Sequence, residues 1–517
     1  MKYNNLKKMP EEMLPAILLG ASVAFAVGYA VQTNPDTDAW WLSATGRIIW
    51  EKGFIRENPF CMVEGLKFII QQPACCLLNY LADRLFGMGG MWIPAVFLNV
   101  ILLLSAWSAL KETGCGPYRR ILTLATLEFV VARAGLVTTR PYQLTMSVTF
   151  FCISAWIRWS KDGKRDPCGS FFDKNGVRTL AVHAVLTVLQ ANVQTTSLFF
   201  LFLWPACFVV PGAWEIFPDG KEAKTAKTVL KNLKNAAKKS LKVLIPVWIT
   251  TAAASILNPY GIDGALYLLK AGKAVRDMSD VIVEMKKPQI LSVQTLFIVL
   301  LAVLAARAMK RRGNPWVVWL SAGSVLLSAS YNRNAWILMM AAAVAAGADD
   351  FGGNAEETDE KTEKKEEKRT KNDKNRAILL IPAAGFVLGA VIAFQATVPV
   401  DEPEAVKFIR NAVAEGKEVR LMTSFGTGGY FERAGITAFV DARLELTSEG
   451  ICGKAVMEEW FDADVIGADP EGFIEKYGFN YLATTPGTGY LGYFAMHSGE
   501  WVLISAEEGV RLYQKIE

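Results

Sequence analysis

Histidine is nearly missing from this sequence: 517 residues contain two, His183 and His497. The eight cysteines share no repeated spacing, with no CxxC and no Cys/His combination of the zinc type. These absences argue against a zinc centre and a disulfide framework. The adjacent Cys75 and Cys76 read as small apolar packing. No internal repeat is visible, as an inverted-repeat transporter would require. The basic residues flank apolar segments and form no soluble basic fold, which argues against nucleic acid as a partner. The Gly-rich loop FGTGGYF (425–431) lacks the phosphate-binding spacings and reads as a strand-end turn.

What the chain has is apolar surface. Hydrophobic residues make up 52% of it, mean hydropathy is +0.24, and the net charge is only +5. Fifteen Trp and 28 Phe suit aromatic belts at two membrane surfaces. A span needs roughly 20 apolar residues. Eleven candidates lie near 13–32, 93–110, 120–136, 143–158, 179–194, 197–214, 243–258, 291–308, 315–330, 334–347 and 377–396. The expectation is an α-helical polytopic membrane protein of about eleven spans over residues 1–397, with a small extracytoplasmic α/β domain over 398–517.

Orientation follows from Lys/Arg bias in the loops. Alternating from a basic, cytoplasmic N-terminus, every strongly basic loop falls on one side, and the C-terminal segment falls outside. Ala24-Phe25-Ala26 resembles a cleavage site, but its apolar run exceeds a usual signal-peptide core, and residue 36 lies outside either way. Residues 221–242 carry eight Lys, so the cytoplasmic stretch 215–242 reads as a basic amphipathic helix on the anionic inner leaflet. The cytoplasmic loop 348–376 is highly charged and predicted to be disordered. The first outer loop, 33–92, contains polar and apolar residues mixed, and GLKFIIQQPACCLLNYLADRLFG reads as interfacial or re-entrant helix. In the outer domain, EVRLMTS, AFVDARLEL, FNYLATT, EWVLISA and VRLYQK read as strands, and EPEAVKFIRNAVAEG and DPEGFIEKYG as helices.

Candidate chemistry gathers at the outer ends of the spans. Asp36 and Asp38, in NPDTDAWW, can hold a divalent cation such as Mg or Mn, or one can act as a base toward a hydroxyl. On spacing alone the plainer reading is Asp38 as N-cap of the helix AWWLSATGRIIWEKG, with Trp40 and Trp41 as interfacial anchors. Arg133, Arg140 and Arg333 lie at outer turns and suit phosphate, or snorkelling and helix-end pairing. Asn192 and Gln194 end the fifth span, where amides join helices or line a cavity. Tyr260 stands in a helix-stop turn, LNPYG, and Glu284 can accept from a substrate or pair with Lys286 or Lys287. His183 reads as a packing residue, and His497 has no metal partners in the sequence around it.

Taken in order, these pieces resemble bacterial polytopic proteins related to the GT-C glycosyltransferases. The resemblance rests on Asp36, Asp38, Trp41, Gly46, Ile49, Ile55, Pro59 and Phe60 in the first loop. It continues at Arg140-Pro141, Asn192, LNPYG (257–261), Glu284 with Pro288, GGY (428–430) and VDAR (440–443). It implies a cell-membrane, multi-pass transferase that takes a sugar from a polyprenyl-phosphate-linked donor. The acceptor would be a glycan, lipid or protein on the outer face. By this resemblance Asp36 or Asp38 is catalytic base or metal ligand, and Arg133, Arg140 or Arg333 meets the leaving phosphate. Arg133, Arg140, Asn192, Gln194, Tyr260, Glu284 and Arg333 are the substrate-binding set. Where relatives often carry histidine, this chain has QQPACCLL (71–78) and Asn192-Val193-Gln194. Amides hydrogen-bond a sugar but do not shuttle protons, which leaves the aspartates as the base. A non-catalytic envelope scaffold on the same fold and a lipid or glycolipid transporter are the alternatives.

Overall fold

The structure is a computed structural model describing residues 13–162, 173–212, 214, 226–277, 292–329, 332–348, 382, 384–389, 391, 400–443, 449–454, 456–507 and 509–516. Its first part is helical. The helices are α1 Met13–Thr33, α2 Thr37–Lys52, α3 Pro73–Phe86, α4 Trp92–Glu112, α5 Pro117–Arg133, α6 Tyr142–Asp162 and α7 Lys174–Val193. They continue as α8 Leu198–Val209, α9 Ala226–Ser255, α10 Ile262–Ala265, α11 Tyr267–Asp277, α12 Val293–Arg311, α13 Pro315–Ser328 and α14 Ala335–Ala348. Helices thus fall on ten of the expected spans. The eleventh, at 377–396, lies largely outside the described residues, as do Glu284 and nearly all of 348–376.

Among the described residues, three helical stretches are long and apolar enough to cross a membrane by length and composition: Met13–Thr33, Met88–Glu112 and Val293–Arg311. Thr195–Val209, Pro315–Ser328 and Ala335–Ala348 are shorter and apolar. The bundle core forms where α4, α6, α8 and α14 converge around Trp156, Trp204, Phe150 and Leu338. One expectation changes shape. The Lys-rich segment and the seventh apolar run are one helix, α9, of 30 residues. Ala, Lys and Leu dominate its first turns and are strong helix formers, so nothing stops the helix before the apolar half.

The outer loop and C-terminal part pack together. α2 begins at Asp36, whose Oδ1 accepts from Ala39 N at 3.0 Å as a helix cap, and ends at Gly53, with φ 77°. α3 crosses it closely. A Cβ on Gly46 would stand 2.0 Å from the Cys76 carbonyl oxygen, so only glycine permits the approach. α3 occupies only the later part of the stretch read as interfacial helix; residues 65–72 are not helical.

The C-terminal elements are α15 Glu404–Ala414, β1 Leu421–Thr423, α16 Gly428–Arg433, α17 Glu449–Cys452, α18 Val456–Phe461, α19 Pro470–Tyr477, β2 Tyr481–Thr484, α20 Tyr490–His497, β3 Trp501–Glu507 and β4 Val510–Lys515. The four strands make one sheet in the order β1-β2-β4-β3. β1 and β2 run parallel, Met422 facing Leu482, and the other two neighbours are antiparallel. AFVDARLEL, expected as a strand, is not one over its described residues. Thr423 Oγ1 takes its backbone instead, donating to Val440 O and accepting from Phe439 N and Val440 N. Asp441 Oδ1 then accepts from Arg443 N, a side-chain turn that competes with ladder pairing. The seven described cysteines form no disulfide with one another.

Candidate functional site

Three of the sequence-selected residues meet. Arg140 Nε lies 2.7 Å from Asp36 Oδ2 and 3.1 Å from Asp38 Oδ2. Asp38 Oδ1 accepts from Trp41 Nε1 at 3.1 Å. The ion pair is half-buried: the three side chains are 15–22% exposed.

Buried amides hold Arg140 in place. Asn34 Nδ2 donates to Ala30 O and, at 3.0 Å, to Val137 O. Asn79 Nδ2, from α3, donates to Thr139 O at 3.1 Å. Gln143 Nε2 donates to Thr138 O and to Ala95 O of α4. The turn 137–140 is thereby tied to α1, α3 and α4, and it delivers Arg140 to the start of α2. These amides were not singled out in the sequence. Their signal, an amide at a helix end among apolar residues, is faint because buried amides serve many structural ends.

The C-terminal part clamps the same helix. Gly428 and Gly429 open α16, where a Cβ on Gly428 would stand 2.1 Å from Val440 O and one on Gly429 3.2 Å from Trp40 and Trp41. Arg433 makes a two-pronged ion pair with Asp83 of α3, at 2.7 and 2.9 Å, and lies over the Trp40 ring. Arg47 donates to the carbonyls of Arg433 and Glu432. Arg443 bonds Glu432 at 2.5 Å and also Asp441, and its guanidinium lies over the rings of Trp41, Phe60 and Phe68. Trp41 therefore touches Arg443 with its ring and Asp38 with its N–H. The GGY and VDAR residues thus reach Asp38 through Trp41.

The other candidates stand elsewhere. Arg133 is exposed at the end of α5 and makes no ion pair among the described residues. Asn192 Nδ2 donates to Val188 O and Leu257 O, joining the ends of α7 and α9. Gln194 is buried, its Oε1 accepting from Thr145 and Ser197. Tyr260 is buried and donates to Ile55 O, tying the LNPYG turn to the first loop. Arg333 lies in the short turn Asn332–Asn334, and its side chain is outside the described set, as is all of Glu284. His183 is buried, with Thr251 Oγ1 2.9 Å from its Nε2.

A divalent cation at Asp36 and Asp38 has to compete with protein donors. Asp36 gives one oxygen to Ala39 N and the other to Arg140; Asp38 gives one to Trp41 and the other to Arg140. Among the described residues, no group of three or more His, Cys, Asp and Glu is placed to hold a metal. As arranged, the guanidinium takes the position between the carboxylates, and Mg or Mn would have to displace it.

A helical bundle with an acidic loop between its first helices, and a C-terminal α/β unit packed on that loop, has counterparts among solved structures. The Archaeoglobus fulgidus oligosaccharyltransferase is one. Its structure tethered to an acceptor peptide containing the NVT sequon matches 92% of this chain and 69% of that one, with a TM-score of 0.53 and 12% identity. Its apo form matches 93% and 70%, with a TM-score of 0.51 and 12% identity. At such identity the likeness is one of fold. No family model and no curated protein matches the sequence.

Proposed function

We propose that this chain is a multi-pass membrane glycosyltransferase that moves a sugar from a polyprenyl-phosphate-linked donor to an acceptor on the outer face. Residues 1–397 form its membrane part, and 398–517 its extracytoplasmic domain. The observation that carries the reading is the meeting of Asp36, Asp38 and Arg140 on a GT-C fold, at helix ends beneath the outer domain.

In this reading an acceptor hydroxyl attacks the anomeric carbon as the carbon–oxygen bond to phosphate breaks. The electron pair leaves with the polyprenyl phosphate, the hydroxyl proton passes to Asp36 or Asp38, and the anomeric centre inverts. Arg140 turns from the carboxylates toward the phosphate, where charge develops. Arg133, Asn192, Gln194, Tyr260, Glu284 and Arg333 complete the proposed substrate set. Of these, Asn192, Gln194 and Tyr260 act by joining helix ends and loops to one another, given the bonds they make.

A second reading, a non-catalytic scaffold, draws on one observation: every oxygen of the pair already has a protein partner, and Asp36 is a true helix cap. Mass spectrometry of envelope glycans and lipid-linked sugars separates the two. Cells lacking the chain should lose a glycan and accumulate its lipid-linked donor, and complementation with Asp36→Asn/Asp38→Asn at matched protein level should fail to reverse this. Full restoration by the double variant assigns the pair to capping and leaves the scaffold.

A further inference from the structure

The outer domain contains a cavity of about 480 Å³, separate from the carboxylate–arginine site and unused by the chemistry above. Its wall includes Ser424, Trp460, Asp464, Thr485, Tyr490 and Tyr493. The size suits a small organic ligand.

The wall is not that of a finished core. Trp460 is 5% exposed, yet its Nε1–H is buried with no hydrogen-bond partner among the described residues. Such an orphan donor is costly and calls for an acceptor. Asp464 is 4% exposed. Its Oδ1 accepts from Leu491 N at 3.1 Å, and its Oδ2 has no hydrogen-bond partner among the described residues. Gly489, with φ 85°, makes room for it, since a Cβ there would stand 2.3 Å from Asp464 Oδ1. Burial pushes the Asp464 carboxyl up to about 6, so the fold retains an ionisable group that an amide would replace at less cost. Ser424 Oγ and Thr485 Oγ1 meet at 2.9 Å. Tyr490 and Tyr493, 50% and 60% exposed, leave ring surface open to solvent.

We infer that this cavity is a saccharide-binding subsite. An orphan N–H, a carboxylate oxygen and paired hydroxyls match the alternating donors and acceptors of a sugar ring. The tyrosine faces, negative at the centre, suit its apolar C–H side. A polypeptide would also need main-chain partners, and the polar groups identified on the wall are side-chain ones. The position fits as well. From Gly426, on the cavity wall, three residues lead to Gly429, which abuts Trp40 and Trp41. Three backbone steps span at most about 11 Å, so a bound sugar lies a few ring lengths from Asp38. Resting on the transfer reading, this makes the acceptor a glycan.

The test uses the full chain in amphipol, free of sugar-headed detergent, titrated with mannotriose, maltotriose and chitotriose to about 10 mM, the range of weak sugar binding. Tryptophan fluorescence and saturation-transfer NMR report binding. At least one trisaccharide is expected to saturate both signals. Tyr493→Ala should weaken it about three- to tenfold, the worth of one aromatic contact. Asp464→Asn, which keeps the Leu491 bond, should weaken it about tenfold. Binding of no trisaccharide, or binding indifferent to both variants, overturns the inference. Saturation instead by a blocked pentapeptide of Ala, Asn and Thr assigns the cavity to a polypeptide and overturns it too. The Asp36→Asn/Asp38→Asn variant must still bind the sugar, so loss of transfer and loss of binding report on separate readings.

Discussion

Two clusters in this molecule have the same composition, two carboxylates and one arginine, and differ in burial. At the helix ends, Arg140 with Asp36 and Asp38 is 15–22% exposed. In the outer domain, Arg443 with Glu432 and Asp441 is 1–2% exposed. Water cannot screen the inner cluster, so its charges must balance internally. Burial pushes Glu432 well above the usual carboxylate range, despite the lowering charge of Arg443. Asp441 feels the same burial, but Arg443 outweighs it and holds that group low. One proton on Glu432 leaves a neutral triad that fastens the outer domain to α2. The half-exposed cluster has no such need. Its arginine can exchange one partner for another, as the proposed transfer requires.

The largest break in this comparison is Arg443→Met. Removing one partner of a buried ion pair costs about 3–5 kcal/mol. It also takes away the cation over Trp41, Phe60 and Phe68. Thermal unfolding of the purified chain should shift down sharply, and proteolysis should release the outer domain first. Unchanged melting would mean that the triad does not hold the two parts together.

Arg140→Ala should do the reverse, changing function more than stability. A half-exposed pair contributes little to folding, on the order of 1 kcal/mol. If Arg140 meets the leaving phosphate, transfer should fall about 10²–10³-fold with melting nearly unchanged. Arg140→Lys should rescue little, because an ammonium lacks the planar fork. The same variant frees the carboxylates. Added Mn2+, followed by its electron spin resonance, should bind the Ala variant more tightly than the wild type. Tighter binding to the wild type would instead make the cation, and not the guanidinium, the natural partner of Asp36 and Asp38.

How much of this was legible in the sequence depended on the range of the interaction. The helices announced themselves through apolar runs, a local signal; the cap was expected at Asp38, and Asp36, two residues earlier, supplies it. Asp36, Asp38 and Arg140 were each visible as polar residues at outer helix ends. Their meeting was not, because Asn34, Asn79 and Gln143 set it through contacts 48–103 residues apart. The strand expected at AFVDARLEL failed for a related reason. Its alternation is real, but Thr423 and Asp441 take the backbone bonds a strand would need. The cavity left no motif, since its wall comes from the loops after β1 and β2, from α18 with the turn that follows it, and from α20. Arg443 was quoted only as part of a short match; nothing in VDAR says that its cation ends up under three aromatic rings.

The finest test of the comparison is Glu432→Gln. The wild-type carboxyl titrates well above its unfolded value of 4.5. Between those two values the folded state holds a proton that the unfolded chain has released, so stability declines as pH rises through that window. Each pH unit inside it is worth up to about 1.4 kcal/mol. Glutamine keeps an oxygen for Arg443 and has no proton to lose. The variant should therefore match the wild type near pH 5 and overtake it as pH rises, with a flatter melting profile. Were Glu432 ionised beside Arg443, glutamine would lose an ion pair and melt lower at every pH above 4.5. The direction of this small difference separates a neutral buried triad from a charged one, and with it the structural role of Arg443 from the exchangeable role of Arg140.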